Sequence, residues 1–367
     1  MLKILLILLL FINVSNAETI SSNSNTFYLK QVEFADLRNW GSDDLLGSLQ
    51  AFLKSCTQMG KMNQNQILST ELNNIEVKDL RNVCDIARVI VGATNEDAKL
   101  FFESWFTPFL VVDRYNGKTG LFTGYYEASI RASRFPGNEY IYPIYKRPND
   151  LTSAPYYTRE EIENGALKNK NLEIFYTDSK VSLAFLQIQG SGILELNDGT
   201  TTKIAFDGKN NRTYRSIGSI LIEKKYMKRK DVNATSIKEW FKNNPDKIDE
   251  VLNENESYIF FKEQYNDYII GAHGSILTPF RSIAIDNKVL PYGFPFWIET
   301  KIEENNHTTK FDKLTVSQDT GSAIRGVVRA DIFFGSGDTA EELASKMKFK
   351  GQYYILIPNT IIKKIKY

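Results

Sequence analysis

QDTGSAIRGVVRADIFFGSGD, residues Gln318 to Asp338, carries two carboxylates, Asp319 and Asp331, twelve residues apart on two turn-and-strand signals. Gly321, Gly326, Gly335 and Gly337 punctuate it, and glycine permits tight turns and close approach of backbone to a ligand. VVRADIFF is rich in β-branched and aromatic residues and reads as a buried strand. An acid inside such a strand is costly unless it is paired, hydrogen-bonded or lining a cleft. Asp331 therefore has either a structural partner, Arg325 or Arg329 or backbone amides, or a chemical task.

The chain around this stretch has 367 residues, which predicts two domains with a helical annex. Its 45 basic and 44 acidic residues leave a formal charge of +1. Without a basic surface, nucleic acid is not an expected partner. Lys3, the apolar run Ile4 to Ile12 and Ser15-Asn16-Ala17 read as a cleavable export signal, residues 1–17, with Glu18 opening the mature chain. An uncleaved anchor is the alternative, although the run is short for a bilayer span. Export permits a disulfide between Cys56 and Cys84. Both lie in helically patterned segments, where buried free thiols are common, and both states stay open. With two histidines and no Cys/His cluster of ligand spacing, neither a metal nor another cofactor is expected.

Residues 34 to about 107 show helical patterning. Strand signals then dominate: 121–127, 140–145 with Pro143 marking an edge, and a hairpin over 195–206 turning at Asn197-Asp198-Gly199. Helices are predicted after Thr158, from Asp178 to Leu186, across much of 216–252, and from Asp338, whose spacing to Glu341 fits a capping box. Lys288–Leu290, Phe296–Glu299, Val327–Phe334 and Tyr353–Ile357 read as short strands.

Five segments combine glycine with polar or aromatic side chains: FTGYYE (122–127), QIQGSG (187–192), GAHGS (271–275), QDTGSAIRG and RADIFFGSGD. Together they describe a substrate groove built at strand ends. One Asp-Thr-Gly does not make an aspartic protease, whose two carboxylates share a proton. His273 reads as a structural or positioning residue, and neither cysteine has the neighbours of a nucleophile. Carboxylate chemistry remains: a desolvated aspartic acid that holds a proton near neutral pH can donate it to a leaving oxygen.

FTGYYE, YPIYKRP, YYTREEIENGAL, FLQIQGSG, YRSIGSIL, SYIFFKE, LPYGFPFWIET, QDTGSAIRG and RADIFFGSGD stand in the order found in MltA-type lytic murein transglycosylases, which the chain resembles from about residue 100 to 358. The resemblance implies a mainly β fold. A double-psi β-barrel would be built from 18–128 and 263–367, including a 3D module at about 280–358. A second β-barrel would be inserted at 129–262, with a groove between the two. It implies peptidoglycan glycan strands as the partner, and a monomer in the periplasm, with outer-membrane or cell-wall-synthesis association as a further expectation. Asp331 would be the catalytic acid and then base, with Asp319 tuning it. Thr123, Gly124, Tyr125, Glu127, Gln187, Gln189, Gly190, Ser191, Asp286 and Arg329 would bind substrate. Many relatives carry a lipid-attachment cysteine at the end of the signal, where this chain has Asn16-Ala17-Glu18. A hydrolase using Asp319 or Asp286 to activate water, and a non-catalytic glycan-binding protein, are the competing expectations.

Overall fold

The computed structural model describes residues 19–20, 24–90, 94–265, 268–304 and 307–366. The expected signal segment lies outside them. The N-terminal part runs β1 (Thr19–Ile20), β2 (Phe27–Gln31), α1 (Leu45–Met59), β3 (Ile67–Ser69), β4 (Ile75–Glu76), α2 (Arg81–Val89), α3 (Asn95–Trp105), β5 (Phe106–Asp113) and β6 (Gly120–Ser133). The middle comprises β7 (Tyr142–Tyr145), α4 (Arg159–Glu161), β8 (Glu173–Thr177), α5 (Lys180–Gln189), β9 (Ser191–Leu196), β10 (Thr201–Lys209), α6 (Ile217–Glu223), α7 (Ala234–Asn243), α8 (Ile248–Leu252) and β11 (Ile259–Gln264). The C-terminal part is β12 (Ser282–Ile285), β13 (Pro295–Glu304), β14 (His307–Asp319), β15 (Arg329–Ser336), α9 (Asp338–Lys346), β16 (Lys348–Pro358) and α10 (Ile362–Lys366).

Strand pairing closes a ring: β6, β15, β12, β14, β13 and β16, with β16 returning to β6. Within it β6 pairs parallel with β15, and β12 parallel with β14. Closure leaves these strands no bare edge. Phe122, Phe296, Ala330, Ile332 and Tyr353 are buried, and Tyr353 packs edge-on against both phenylalanines. From β16 the sheet also continues outward through β5 and β2. β6 is 14 residues long and serves two layers. Its first half lies in the ring, and its second half pairs with β8 and β9 to form the second sheet, β7-β8-β6-β9-β10-β11. No register joins β7 to β11 among the described residues, so hydrogen bonding leaves this sheet open where a second closed barrel was expected.

α1 buttresses the ring. Asp44 accepts the Gly47 amide at its start, and Leu45, Leu49, Phe52, Cys56 and Met59 form its buried stripe at steps of four and three. Each large apolar side chain so buried stabilises by roughly 1.5–3 kcal/mol. Ser48 Oγ donates to the Leu314 carbonyl on β14 at 2.8 Å, and Arg281 and Asp43 form a buried ion pair beside it.

Several sequence expectations change. The helical annex contains the β3–β4 hairpin, and strand β5 begins at Phe106. Lys288–Leu290 is a turn after β12, because the Val289 and Leu290 amides both bond to the Asp286 carbonyl. Asp338 is the first residue of α9 rather than its cap; Gly337, at φ 84°, takes the cap position. Cys56 and Cys84 are joined as a disulfide linking α1 to α2. Reducing that bond, or replacing both cysteines by serine, should lower the unfolding free energy by about 3 kcal/mol, measured as the urea midpoint. An unchanged midpoint would mean that packing alone holds α2 on α1.

Candidate active site

Strand register builds the site. β12 lies between β14 and β15, and Ala284 is the register partner of both Asp319 and Asp331. On its other side Asp331 is paired with Thr123 of β6. Asp319, Ala284, Asp331 and Thr123 thus form one cross-strand row in the barrel wall. Directly opposed residues share a face of the sheet. Two strand spacings separate the backbones of the two acids, roughly 9–10 Å. Asp319 and Asp331 are neighbours in one field without being a proton-sharing dyad.

β15 alternates cleanly at its start: Arg329 and Asp331 are half-buried, whereas Ala330 and Ile332 are buried. Thr123 Oγ1 donates to Asp331 Oδ1 at 2.5 Å, and Arg329 Nη2 donates to Thr123 Oγ1 at 2.8 Å. Burial pushes the Asp331 carboxyl above the usual carboxylate range, against the opposing pull of Arg329 and the Thr123 hydroxyl. Asp319 is held differently. Its Oδ1 accepts the amides of Ala272 and Thr320, each at 2.9 Å, and its Oδ2 accepts the Tyr125 hydroxyl at 2.9 Å. Burial still raises its pKa, the three donors notwithstanding, and nearby Asp331 adds to the rise. Burial and Asp319 together keep Tyr125 neutral.

Asp331 lines a cavity of about 110 Å³. The barrel contributes the loop Gly321, Ser322, Ala323 and Ile324; the second sheet and its helices contribute Arg159, Ala184, Gln187, Ile188, Tyr214, Asn255, Ser257 and Ile259. The acid therefore faces a crevice between the two lobes.

The remaining expected residues divide. Gln187 lines the cavity, with Oε1 taking a 2.6 Å bond from Arg159 Nη2. Gln189 Oε1 accepts the Tyr126 amide at 3.3 Å. Gly190, at φ 82°, ends α5, and Ser191 opens β9. Gly124 faces away from Asp331: a Cβ there would lie 2.3 Å from the Phe334 ring, so close packing explains this glycine. Glu127 is buried and paired with Lys203 at 3.1 Å. Asp286 is also buried; its Oδ2 accepts the Gly326 amide at 2.9 Å, which fastens the loop between the two acids. Arg325 sits beside Asp286 rather than Asp331. His273 is buried with Nδ1 on Ser275 Oγ at 2.7 Å, and burial lowers its pKa to about 4, which suits a neutral structural ring.

Arg159, in the helix predicted after Thr158, is not among the residues expected in the site. Its guanidinium is buried and bonds Gln187, Glu163 and the carbonyls of Asn255 and Ser257. An arginine in the first turn of a helix, where an acid suits the dipole better, was the available signal.

Two family models match the chain: the MltA specific insert domain over residues 121–262 and the 3D domain over 281–357. The membrane-bound lytic murein transglycosylase A of Vibrio cholerae is 33% identical over 241 residues, covering 64% of this chain and 65% of that protein. The chain thus spans just under two thirds of that relative's length. Among solved structures, a membrane-bound lytic murein transglycosylase from Agrobacterium tumefaciens aligns with TM-score 0.82 at 28% identity, covering 92% of this chain and 99% of that one. Escherichia coli MltA with bound chitohexaose aligns with TM-score 0.68 at 26% identity, covering 84% and 90%.

The raised pKa of Asp331 has a stability consequence. Its native state holds the proton more tightly than the unfolded chain, so the group costs stability as pH rises through its folded pKa. Asp331→Asn keeps the shape and the Thr123 bond and removes that cost. The variant should melt above the parent protein at pH 7, with the difference shrinking as pH falls through the folded pKa and gone below 3.8, the ordinary aspartate value. A lower melting temperature at pH 7 would contradict a desolvated acid. Gly124→Ala should cost about 1–3 kcal/mol by overpacking, read from urea unfolding.

Proposed function

Because the chain belongs to the MltA family of lytic murein transglycosylases, we propose that it cleaves the bond between MurNAc and GlcNAc in peptidoglycan strands and leaves a 1,6-anhydroMurNAc end. One observation carries this reading: Asp331, a desolvated acid, lines the crevice between the lobes with one oxygen engaged by Thr123. The closed ring is read as the double-psi barrel, the middle segment as the inserted domain, and the crevice as the seat of the glycan. That E. coli MltA was solved with chitohexaose bound supports a glycan ligand for this fold. The exported chain would act in the periplasm.

The chemistry follows from a single carboxyl. Protonated Asp331 gives its proton to the glycosidic oxygen as the bond from C1 of MurNAc breaks, and the bonding pair leaves with that oxygen. Positive charge gathers on C1 and the ring oxygen. The carboxylate then takes the proton of the C6 hydroxyl while O6 closes onto C1. Asp331 ends protonated, and no water is consumed. An attached nucleophile replaces a diffusing one, an advantage that reaches about 10⁵–10⁸ M in effective concentration. A second carboxylate to activate water is therefore unnecessary. Asp319, already accepting three hydrogen bonds, and Asp286, tied to Gly326, are poorly disposed for that task.

Mass spectrometry of digested murein discriminates the readings. Anhydro ends are expected; reducing ends, heavier by one water, would establish a hydrolase, and binding without release would establish a glycan-binding protein. Asp331→Asn should lower kcat/KM by about 10²–10⁴, the usual worth of a general acid. Since the reaction starts from protonated Asp331, kcat/KM should fall as pH rises through its folded pKa, above the ordinary range for aspartate.

A further inference from the structure

Arg329 was expected to hold substrate, yet its donors point elsewhere. Nη1 donates to the carbonyls of Ala330, at 2.5 Å, and Leu121, at 3.4 Å, and Nη2 donates to Thr123 Oγ1 at 2.8 Å. Among the described residues no carboxylate lies within ion-pair distance of it. It is half-buried and shares a strand face with Asp331, two residues on. The Thr123 hydroxyl has one proton, and a guanidinium only donates. With a lone pair of Oγ1 occupied by Nη2, the hydroxyl proton is directed to Asp331 Oδ1, at 2.5 Å.

We propose that Arg329 is a positioning residue that acts on Asp331 through Thr123, and that this relay confines the working proton of Asp331 to Oδ2. This rests on the reading of Asp331 as the general acid. Oδ1 accepts a hydrogen bond in both protonation states and cannot also present a proton to Thr123, whose own proton already occupies that contact. The proton given to the glycosidic oxygen and regained from the C6 hydroxyl then enters and leaves through one atom. Acid and base roles therefore share one geometry, as a single carboxyl serving both steps requires. The relay also has a sign. When Asp331 becomes a carboxylate, the Thr123 bond becomes charge-assisted and the guanidinium lies behind it, so the relay favours the ionised form and opposes burial. The other groups around Asp331 are few. Across Ala284 stands Asp319 with the Tyr125 hydroxyl on it; from the second lobe come Tyr214 and Arg159, the latter already engaged by Glu163 and Gln187; the loop 321–324 is uncharged. Arg329 is the cation on the barrel wall that reaches Asp331.

The test uses the full exported chain labelled with ¹³C at aspartate carboxyls, the Asp331 resonance being identified by its loss in Asp331→Asn. Titration is followed in Thr123→Val, Thr123→Ser, Arg329→Gln and Arg329→Lys, alongside pH profiles of kcat and KM on isolated murein. Thr123→Val and Arg329→Gln should move the Asp331 titration upward by about one pH unit and carry the alkaline limb of kcat/KM with it. Thr123→Ser should keep the parent titration, and Arg329→Lys should fall between. kcat should drop at least about tenfold with KM within about twofold, as for an interaction that matters to the transition state more than to binding. An unmoved Asp331 titration in Thr123→Val, or a rise in KM with unchanged kcat in Arg329→Gln, would overturn the relay. Failure of the functional reading is separate: Asp331→Asn would then keep its activity, whatever the titration does.

Discussion

The site depends on the parallel pairing of β6 with β15, strands brought together across a separation of 208 residues at the Thr123–Asp331 contact. A parallel neighbour cannot be supplied by a hairpin, so the chain must leave and return before the pair can form. Here it leaves as the middle segment and returns as the C-terminal strands. The same strand, β6, then runs on into the second sheet. One continuous backbone therefore ties the acid's hydrogen-bond donor to the lobe across the crevice, and any displacement of β6 is felt on both sides of the site.

Around this pairing the protein uses two different ways of placing charge away from water. At the back of the barrel, Arg281 and Asp43 form a buried ion pair with further bonds to Ser48 and to the backbone of Leu314. Such an arrangement fixes geometry. At the front, Asp319 and Asp331 meet mainly neutral donors: amides, a phenol and a threonine hydroxyl. Neutral donors orient a carboxyl without holding it fully ionised, which keeps a proton available for transfer. Arg329 is set one hydroxyl away from Asp331, close enough to limit the rise in its pKa and too indirect to abolish it.

The support behind Asp319 shows how far this placement extends. Gln318, the preceding residue, is fully buried; its amide nitrogen donates to the Ala51 carbonyl and Ser55 Oγ of α1, and its oxygen accepts from Ser282 on β12. Its backbone carbonyl takes the His273 amide, so the GAHGS loop that donates Ala272 to Asp319 hangs from the same point. α1 is in turn joined to α2 by the Cys56–Cys84 bond. The helical annex thus serves the site by holding the end of β14; among its described residues none lines the crevice.

Much of this was legible in the residues alone. An aspartate between valine, alanine, isoleucine and phenylalanine had to be an exception to the burial rule, and glycines around both acids marked turns. Helix caps such as Thr158 with Glu161, and the edge position of Pro143, follow from local geometry that three or four residues contain. Local pattern misled where tertiary packing was the cause. Gly124 is required by the Phe334 ring, Glu127 is matched to Lys203, and Asp286 is consumed by the Gly326 amide. None of those partners can be named from spacing, because each is brought in by a strand or loop distant in the chain. The residue types of the chain determined that an acid would be desolvated in a strand. Alternation along one strand already put Arg329 on the same face; only the closed ring decided that the acid would stand beside Thr123, because register between strands is a long-range property.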